Sequence, residues 1–261
     1  MRKSILCAVG NFLSWLYARV LLITVVRKTA MLPKGPKIYV VNHPNTLDPF
    51  YLLGIIGERV AILITEHVFH IPVLGRLVKR AGHIEVTSDG KQVYAQAKKT
   101  LCSGRSILLF AEGDISFSAS RVRKFHTGAI RLALETGAPV IPVGIHLDQR
   151  RIWKRRTVIK NSLQIVTWYR YGWHTVVFGE PLYIQGSIGN RTMVRKETVL
   201  LRKRVLSTIA QATRVRAEDR MLHKRTAKRG FHIALRGVYK FVCFVGFIVF
   251  KLNEVGIKVL G

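Results

Sequence analysis

Val41-Asn42-His43-Pro44-Asn45-Thr46-Leu47-Asp48-Pro49 is the stretch on which the reading of the chain turns. The apolar run before it, Lys37-Ile38-Tyr39-Val40-Val41, reads as a buried strand, and Phe50-Tyr51-Leu52-Leu53-Gly54-Ile55-Ile56 after it reads as a helix. Asp48-Pro49 suits a helix start, with Asp at the N-cap and Pro at the first helical position. His43 then sits in the loop leaving the strand, where scaffolds commonly place functional side chains. Five residues along one helix would turn His43 and Asp48 away from each other, whereas a loop can fold back and bring them together. The carboxylate would then hold one imidazole nitrogen and leave the other to take a proton. The plainer alternative, taken from these residues alone, is a helix-capping aspartate and a polar loop histidine.

Further segments follow at a regular spacing. Phe69-His70-Ile71-Pro72-Val73-Leu74-Gly75-Arg76 leads to Gly82-His83-Ile84. The apolar run Ile107-Leu108-Leu109 leads into Phe110-Ala111-Glu112-Gly113-Asp114-Ile115-Ser116. Phe125-His126-Thr127-Gly128-Ala129 and Ala138-Pro139-Val140-Ile141-Pro142-Val143-Gly144-Ile145 come next. In this order the segments resemble the lysophosphatidate acyltransferase family of glycerolipid acyltransferases. Its blocks are an Asn-His-x4-Asp motif, a Pro-x2-Gly block ending in Gly-x-Ile, a Glu-Gly motif and a Val-Ile-Pro-Val block. The resemblance covers residues 37 to 182, closing on Gly179-Glu180-Pro181-Leu182 as the family's last strand. It implies His43 as general base, Asp48 as the group that orients it, and Asn42, Glu112 and Gly113 at the acceptor pocket. It also implies a thioester donor, acyl-CoA or an acyl carrier protein, a lysophospholipid acceptor, and no metal or other cofactor. Two positions depart from the family. Asp114-Ile115 stand where it usually has Thr-Arg, and Thr87-Ser88 where it often has Asp-Arg. With Ile115 in place of an arginine, the nearest cations for an acceptor phosphate are Arg121, Arg123 and Lys124, and Arg76, Lys79 and Arg80 of the Pro-x2-Gly block.

At 261 residues the chain is long enough for one full core with appendages, and 49% hydrophobic with 22% charged residues excludes a disordered protein. Three cysteines make no disulfide framework. His67 and His70 are three apart, but no third ligand of matching spacing accompanies them, so no metal site is read there. The net charge of +29 calls for an anionic partner. No zinc-finger spacing, basic zipper or ribonucleoprotein motif is present, so nucleic acid is not expected and an anionic membrane surface fits better.

Ile5 to Val26 is almost wholly apolar, a length that either crosses a bilayer or lies on it. Residues 37 to 146 alternate apolar runs with helical patterns, which predicts an α/β fold with a mixed central sheet and flanking helices. Strands are expected at Val60–Ile64, Ile84–Val86, Leu163–Tyr169 and Thr175–Phe178, the last two completing the sheet. Helices are expected over Pro72–Arg80 and Gly90–Leu101, and another ends at Gly137. Arg150, Arg151, Lys154, Arg155 and Arg156 around Trp153 form either a solvated loop or a patch for lipid headgroups. Residues 191 to 229 read as a basic helix with an apolar stripe of Leu201, Val205, Ile209 and Ala212, and Phe241 to Phe250 as a second apolar anchor.

The organisation expected is therefore a membrane-associating apolar helix region over residues 1–30 and a catalytic domain over 31–190. A basic helix with a C-terminal apolar segment follows over 191–261. The resemblance places the protein on a membrane with its active site on the cytoplasmic face. Other readings are an acyltransferase for a phosphate-free lyso-lipid or alcohol, a catalytically silent membrane scaffold and, further off, a membrane-tethered nucleic-acid binder.

Overall fold

The computed structural model describes residues 24–223 except 73, 117–121, 149, 151, 160–161 and 170–172, together with Trp15 and Leu22. The strand predicted before His43 forms as β2 (Ile38–Val41), buried on both sides. It pairs in parallel with β5 (Ser106–Phe110) and with β6 (Val140–Leu147). β3 (Val60–Thr65) and β4 (Ile84–Val86) continue the parallel array beyond β5. β9 (His174–Phe178) lies antiparallel on the other side of β6, and β1 (Thr24–Lys28) closes that edge parallel to β9. The order is β1-β9-β6-β2-β5-β3-β4, a mixed sheet as expected.

Parallel strands need helical crossovers, and these cover both faces. Ile38 and Val40 of β2 point to one side, where Ala97 and Leu101 of α4 (Gly90–Cys102), Ala129, Ile130, Leu132 and Ala133 of α5 (Gly128–Thr136), and α6 (Arg191–His223) pack. Tyr39 and Val41 point to the other side, against Tyr51, Leu52 and Ile56 of α1 (Asp48–Ile56). A short α2 (Glu66–Phe69) and α3 (Leu74–Arg80) extend that second layer, with Val78 buried. The stripe Leu201, Val205, Ile209 and Ala212 is buried as its spacing predicts. Gly144 lets α6 lie directly on β6, since a Cβ there would fall 2.4 Å from the Ile209 backbone nitrogen.

Several expectations are corrected. Asp48 does not cap α1; Leu47 holds the N-cap position without a side-chain bond, because the Asp48 carboxylate is engaged elsewhere. The end of the N-terminal apolar stretch is strand β1, not helix, with Leu22 buried beside it in the core. Strand β8 (Ser162–Tyr169) does not complete the main sheet; it pairs with β7 (Ile152–Ile159), formed where a basic loop was considered, as a separate hairpin. Leu182 makes only an isolated bridge to Val140. Among the described residues no helix is long and apolar enough to cross a membrane. Most of residues 5–23, and all of residues 224–261 with Phe241 to Phe250, lie outside the described residues.

Two histidines are enclosed by this packing. Burial pushes His174 down to about 3, and burial with the nearby Arg105 charge pushes His83 down to about 4. Histidine in the unfolded chain titrates near 6.5, so below that pH the unfolded state binds more protons. Their stabilising contribution is thus complete above about pH 6.5 and is lost as pH falls towards the folded values. At pH 5 each histidine should cost about 2 kcal/mol relative to pH 7.5. Denaturant titrations at the two pH values check this, and His174→Gln should remove about half of the difference.

Candidate active site

The loops at the C-terminal ends of β2, β5 and β6 meet at one end of the sheet, the end where open α/β folds commonly hold ligands. Asn42 directs the first of them. Its amide Nδ2 donates to the Ile145 carbonyl at 3.1 Å and its Oδ1 accepts the Ile145 N–H at 2.7 Å. The side chain thus continues the β2–β6 ladder after the last backbone pair, Val41 with Val143, and is fully buried.

His43 leaves this anchor with its ring stacked on Phe110, centroids 3.9 Å apart at 17°. Its Nδ1 lies 3.0 Å from Asp48 Oδ2, with side-chain exposures of 15% and 0%. A carboxylate accepts, so Nδ1 donates and, in the neutral ring, Nε2 is left with a lone pair to accept a proton. Asp48 Oδ2 also accepts the Asn45 N–H at 2.9 Å, and Oδ1 accepts the Tyr51 hydroxyl at 2.6 Å. Burial pushes the Asp48 carboxyl up, while the bonds from His43, Tyr51 and Asn45 pull it back down.

Two further segments strap the loop. The Tyr169 N–H donates to Asn45 Oδ1 at 3.2 Å, and Thr46 and Thr167 exchange bonds of 2.9 and 3.1 Å, which ties the hairpin's returning strand to it. From β5, Glu112 accepts the His43 N–H at 3.3 Å and the Ser116 hydroxyl through Oε1, and the Arg123 N–H at 2.8 Å through Oε2. The Ser116 N–H returns to the His43 carbonyl at 2.8 Å. Glu112 is 5% exposed, so its carboxylate holds the loop together from within. Gly113 turns the chain at φ 74°, and a Cβ there would stand 3.0 Å from His126 Nε2.

Arg123 is close by, its guanidinium on Asp114 at 3.1 Å, and Lys124 next to it is exposed. Arg76 and Arg80 are exposed on α3. Arg80 precedes Ala81, whose carbonyl is bonded by Arg105 at the foot of β5. Arg80 therefore lies toward the end of the sheet remote from His43, and Arg76 one turn nearer. Arg121 lies outside the described residues. No group of three His, Cys, Asp or Glu side chains able to hold a metal occurs among the described residues.

Sequence reasoning did not single out Tyr51, Phe110, Ser116 or Arg202. Tyr51 is one helical turn from Asp48, a spacing that carries some signal. Arg202 has none: from α6 it donates to the carbonyls of Val122, at 2.6 Å, and Arg123, at 2.9 Å, some eighty residues away.

A family model described as Acyltransferase matches residues 22–146, the part of the chain that carries the His43–Asp48 pair and Glu112. Over these residues the chain is similar to the acyltransferase family. A 1-acyl-sn-glycerol-3-phosphate acyltransferase of Limnanthes alba is 26% identical over 151 residues, 55% of this chain and 52% of that protein. A lyso-ornithine lipid O-acyltransferase of Pseudomonas aeruginosa is 31% identical over 123 residues, 46% of each chain. The chain thus spans about half the length of these curated relatives. The fold is shared with the crystal structure of the 1-acyl-sn-glycerophosphate acyltransferase PlsC from Thermotoga maritima, at a TM-score of 0.56 and 19% identity over 80% of this chain and 79% of that one.

Removing Glu112 should unfasten the site. Glu112→Ala leaves the His43 and Arg123 N–H groups without their carboxylate. It should lower the unfolding free energy by about 2–4 kcal/mol. Hydrogen exchange should quicken at those two amides ahead of the β2 amides.

Proposed function

We propose that the chain moves a fatty acyl group from a thioester, acyl-CoA or an acyl carrier protein, to the free hydroxyl of a lysophospholipid, with lysophosphatidate the acceptor favoured. The observation that carries the reading is the His43–Asp48 pair, a fully buried carboxylate 3.0 Å from Nδ1 of a partly open imidazole. Nε2 takes the proton of the acceptor hydroxyl as its oxygen attacks the thioester carbonyl. Asp48 holds the ring in the required tautomer and offsets the charge of the imidazolium. The C–S bond then breaks, and the leaving thiolate recovers the proton from His43.

No enzyme nucleophile is required, because the thioester is already activated. The Ser116 hydroxyl is bound to Glu112, and Cys102 is exposed on α4, away from the pair. Both facts favour direct transfer. General-base catalysis of this kind contributes about 10²–10⁴-fold, with positioning adding more.

Arg123 supports a phosphate-bearing acceptor. The turn that lacks the family arginine at Ile115 receives a guanidinium from Arg123 through Asp114. That pair is solvent-accessible and weak, so an incoming phosphate competes for the guanidinium with two charges and several acceptor oxygens. A phosphate-free lyso-lipid is the second reading, favoured by the relative named for a lyso-ornithine lipid.

An anionic bilayer is the proposed surface, with the site on the side where acyl-CoA and acyl carrier protein are found. Trp153 on β7 is 45% exposed beside Lys154, on the hairpin stapled to the catalytic loop, so docking there brings the loop to the lipid.

His43→Ala should abolish acyl transfer with little change in unfolding midpoint, and Asp48→Asn should leave a small measurable turnover. Wild-type turnover in His43→Ala would remove the general-base assignment. Arg123→Gln should cut kcat/KM for the phosphorylated acceptor by about 10–100-fold, the range for one hydrogen bond to a charged group, and spare an unphosphorylated one. Equal effects on both acceptors would favour the second reading.

A further inference from the structure

We propose that Tyr51 is a positioning residue of the reaction: its hydroxyl holds the Asp48 carboxylate, and through it sets the orientation and basicity of His43. The inference rests on the acyl-transfer reading of the pair. Tyr51 follows Asp48 by three residues in α1, so both project from the same side of the first helical turn. Both are fully buried, and the 2.6 Å contact falls in the range of about 2.5–2.7 Å for a hydroxyl donating to an ionised oxygen.

Two donors on Oδ2, His43 Nδ1 and the Asn45 N–H, would leave Oδ1 of a dehydrated carboxylate without the bond that Tyr51 provides. The phenol points the positive end of its dipole at Asp48, opposing the penalty of burial and keeping the group ionised beside His43. Its ring is fixed from behind, edge-on to His174 of β9 with centroids 4.5 Å apart and planes at 76°. The Thr24 hydroxyl of β1 bonds that imidazole, which burial keeps neutral at ordinary pH. Among the described residues, the other titratable groups bonded around the pair are Glu112, on the His43 N–H, and Tyr169 of β8, whose N–H is on Asn45 and whose hydroxyl donates to the Trp173 carbonyl. Neither reaches Asp48 Oδ1 in place of Tyr51. The arrangement is a three-member chain from phenol to carboxylate to imidazole.

Tyr51→Phe keeps the ring and its contact with His174 and deletes only the donor. Without that dipole the site becomes more negative, so the imidazolium is favoured and the base is lost at higher pH. In the full chain on anionic vesicles, Tyr51→Phe should move the acid limb of kcat/KM upward by about half a pH unit or more. It should also lower kcat about tenfold or more and leave the acceptor KM unchanged. The His43 ring titration, followed by NMR in the detergent-solubilised full chain, should move up with the limb. Tyr51→Leu should show the same shift together with a lower unfolding midpoint from lost packing. A Tyr51→Phe protein with wild-type acid limb and ring titration, with a defect only in Tyr51→Leu, overturns the proposal and leaves Tyr51 as packing. Should Tyr51→Phe not fold, a fluorinated tyrosine at position 51, a stronger donor, must move the ring titration down, and no movement overturns the proposal. The NMR measurement needs no turnover. A wild-type protein without acyl transfer therefore counts against the acyl-transfer reading, while the link between Tyr51 and His43 is decided separately.

Discussion

The site depends on one carboxylate removed from water. Asp48 has no exposed surface, and an ionised group in that position is stable only if its oxygens are well supplied with donors. His43, Asn45 and Tyr51 supply them, and each comes from within the span 43–51. The loop must therefore close back on the first turn of α1. That closure converts a five-residue separation into a 3.0 Å contact. It also explains why Asp48 does not cap the helix it begins, since the oxygen that would bind the helix N–H groups is already taken.

A loop closed by its own donors still needs a fixed position relative to the sheet, and three distant parts of the chain provide it. Asn42 extends the ladder onto β6, β8 bonds Asn45 and Thr46, and Glu112 clasps the His43 N–H. Glu112 is in turn braced by Ser116 and by the Arg123 N–H, and Arg202 of α6 holds the carbonyls of Val122 and Arg123. A path of hydrogen bonds thus runs from α6 to the backbone of the histidine. If His43 is the base of the proposed reaction, placing it to within a fraction of an ångström is a large part of what such a site contributes to rate, and rigid supports of this kind do that.

The charge of +29 acts on a different scale from these short contacts. Exposed lysines and arginines contribute little to folding, but they set up a field that favours anionic partners, which in the proposed reading are anionic lipid and an anionic donor. The hairpin joins the two scales. It stands apart from the main sheet, carries Trp153 and Lys154, and is bonded at its base to the His43 loop. Under the proposed reading, a bilayer met through this arm would lie next to the loop that carries His43.

The amino-acid sequence by itself determined the local elements and the pairing of residue types. The alternation of apolar runs and helical stripes placed β2, β3, β5, α4 and α5 within a residue or two, because burial on both sides of a parallel strand leaves an unbroken apolar run. The His43-x4-Asp48 spacing left a plain capping aspartate open, and the pair became legible only with the downstream segments and the family they resemble; the apolar stripe of α6 was legible from its own spacing. What the sequence left open was every relation carried by long-range backbone contacts. Thr24–Lys28 begins inside an apolar stretch that suits a membrane helix, and pairing with β9 makes it a strand. Leu163–Tyr169 has strand character in any context, but its partner, β7 and not the main sheet, is a choice among edges that local pattern does not encode. Glu112 read from sequence is a pocket residue, and the tertiary structure makes it a buried clasp. Arg123 reaches the turn that lacks an arginine only because the chain folds back there. Tyr51 and Arg202 gained their roles in the same way, since a hydrogen bond is decided by where two atoms end up in space.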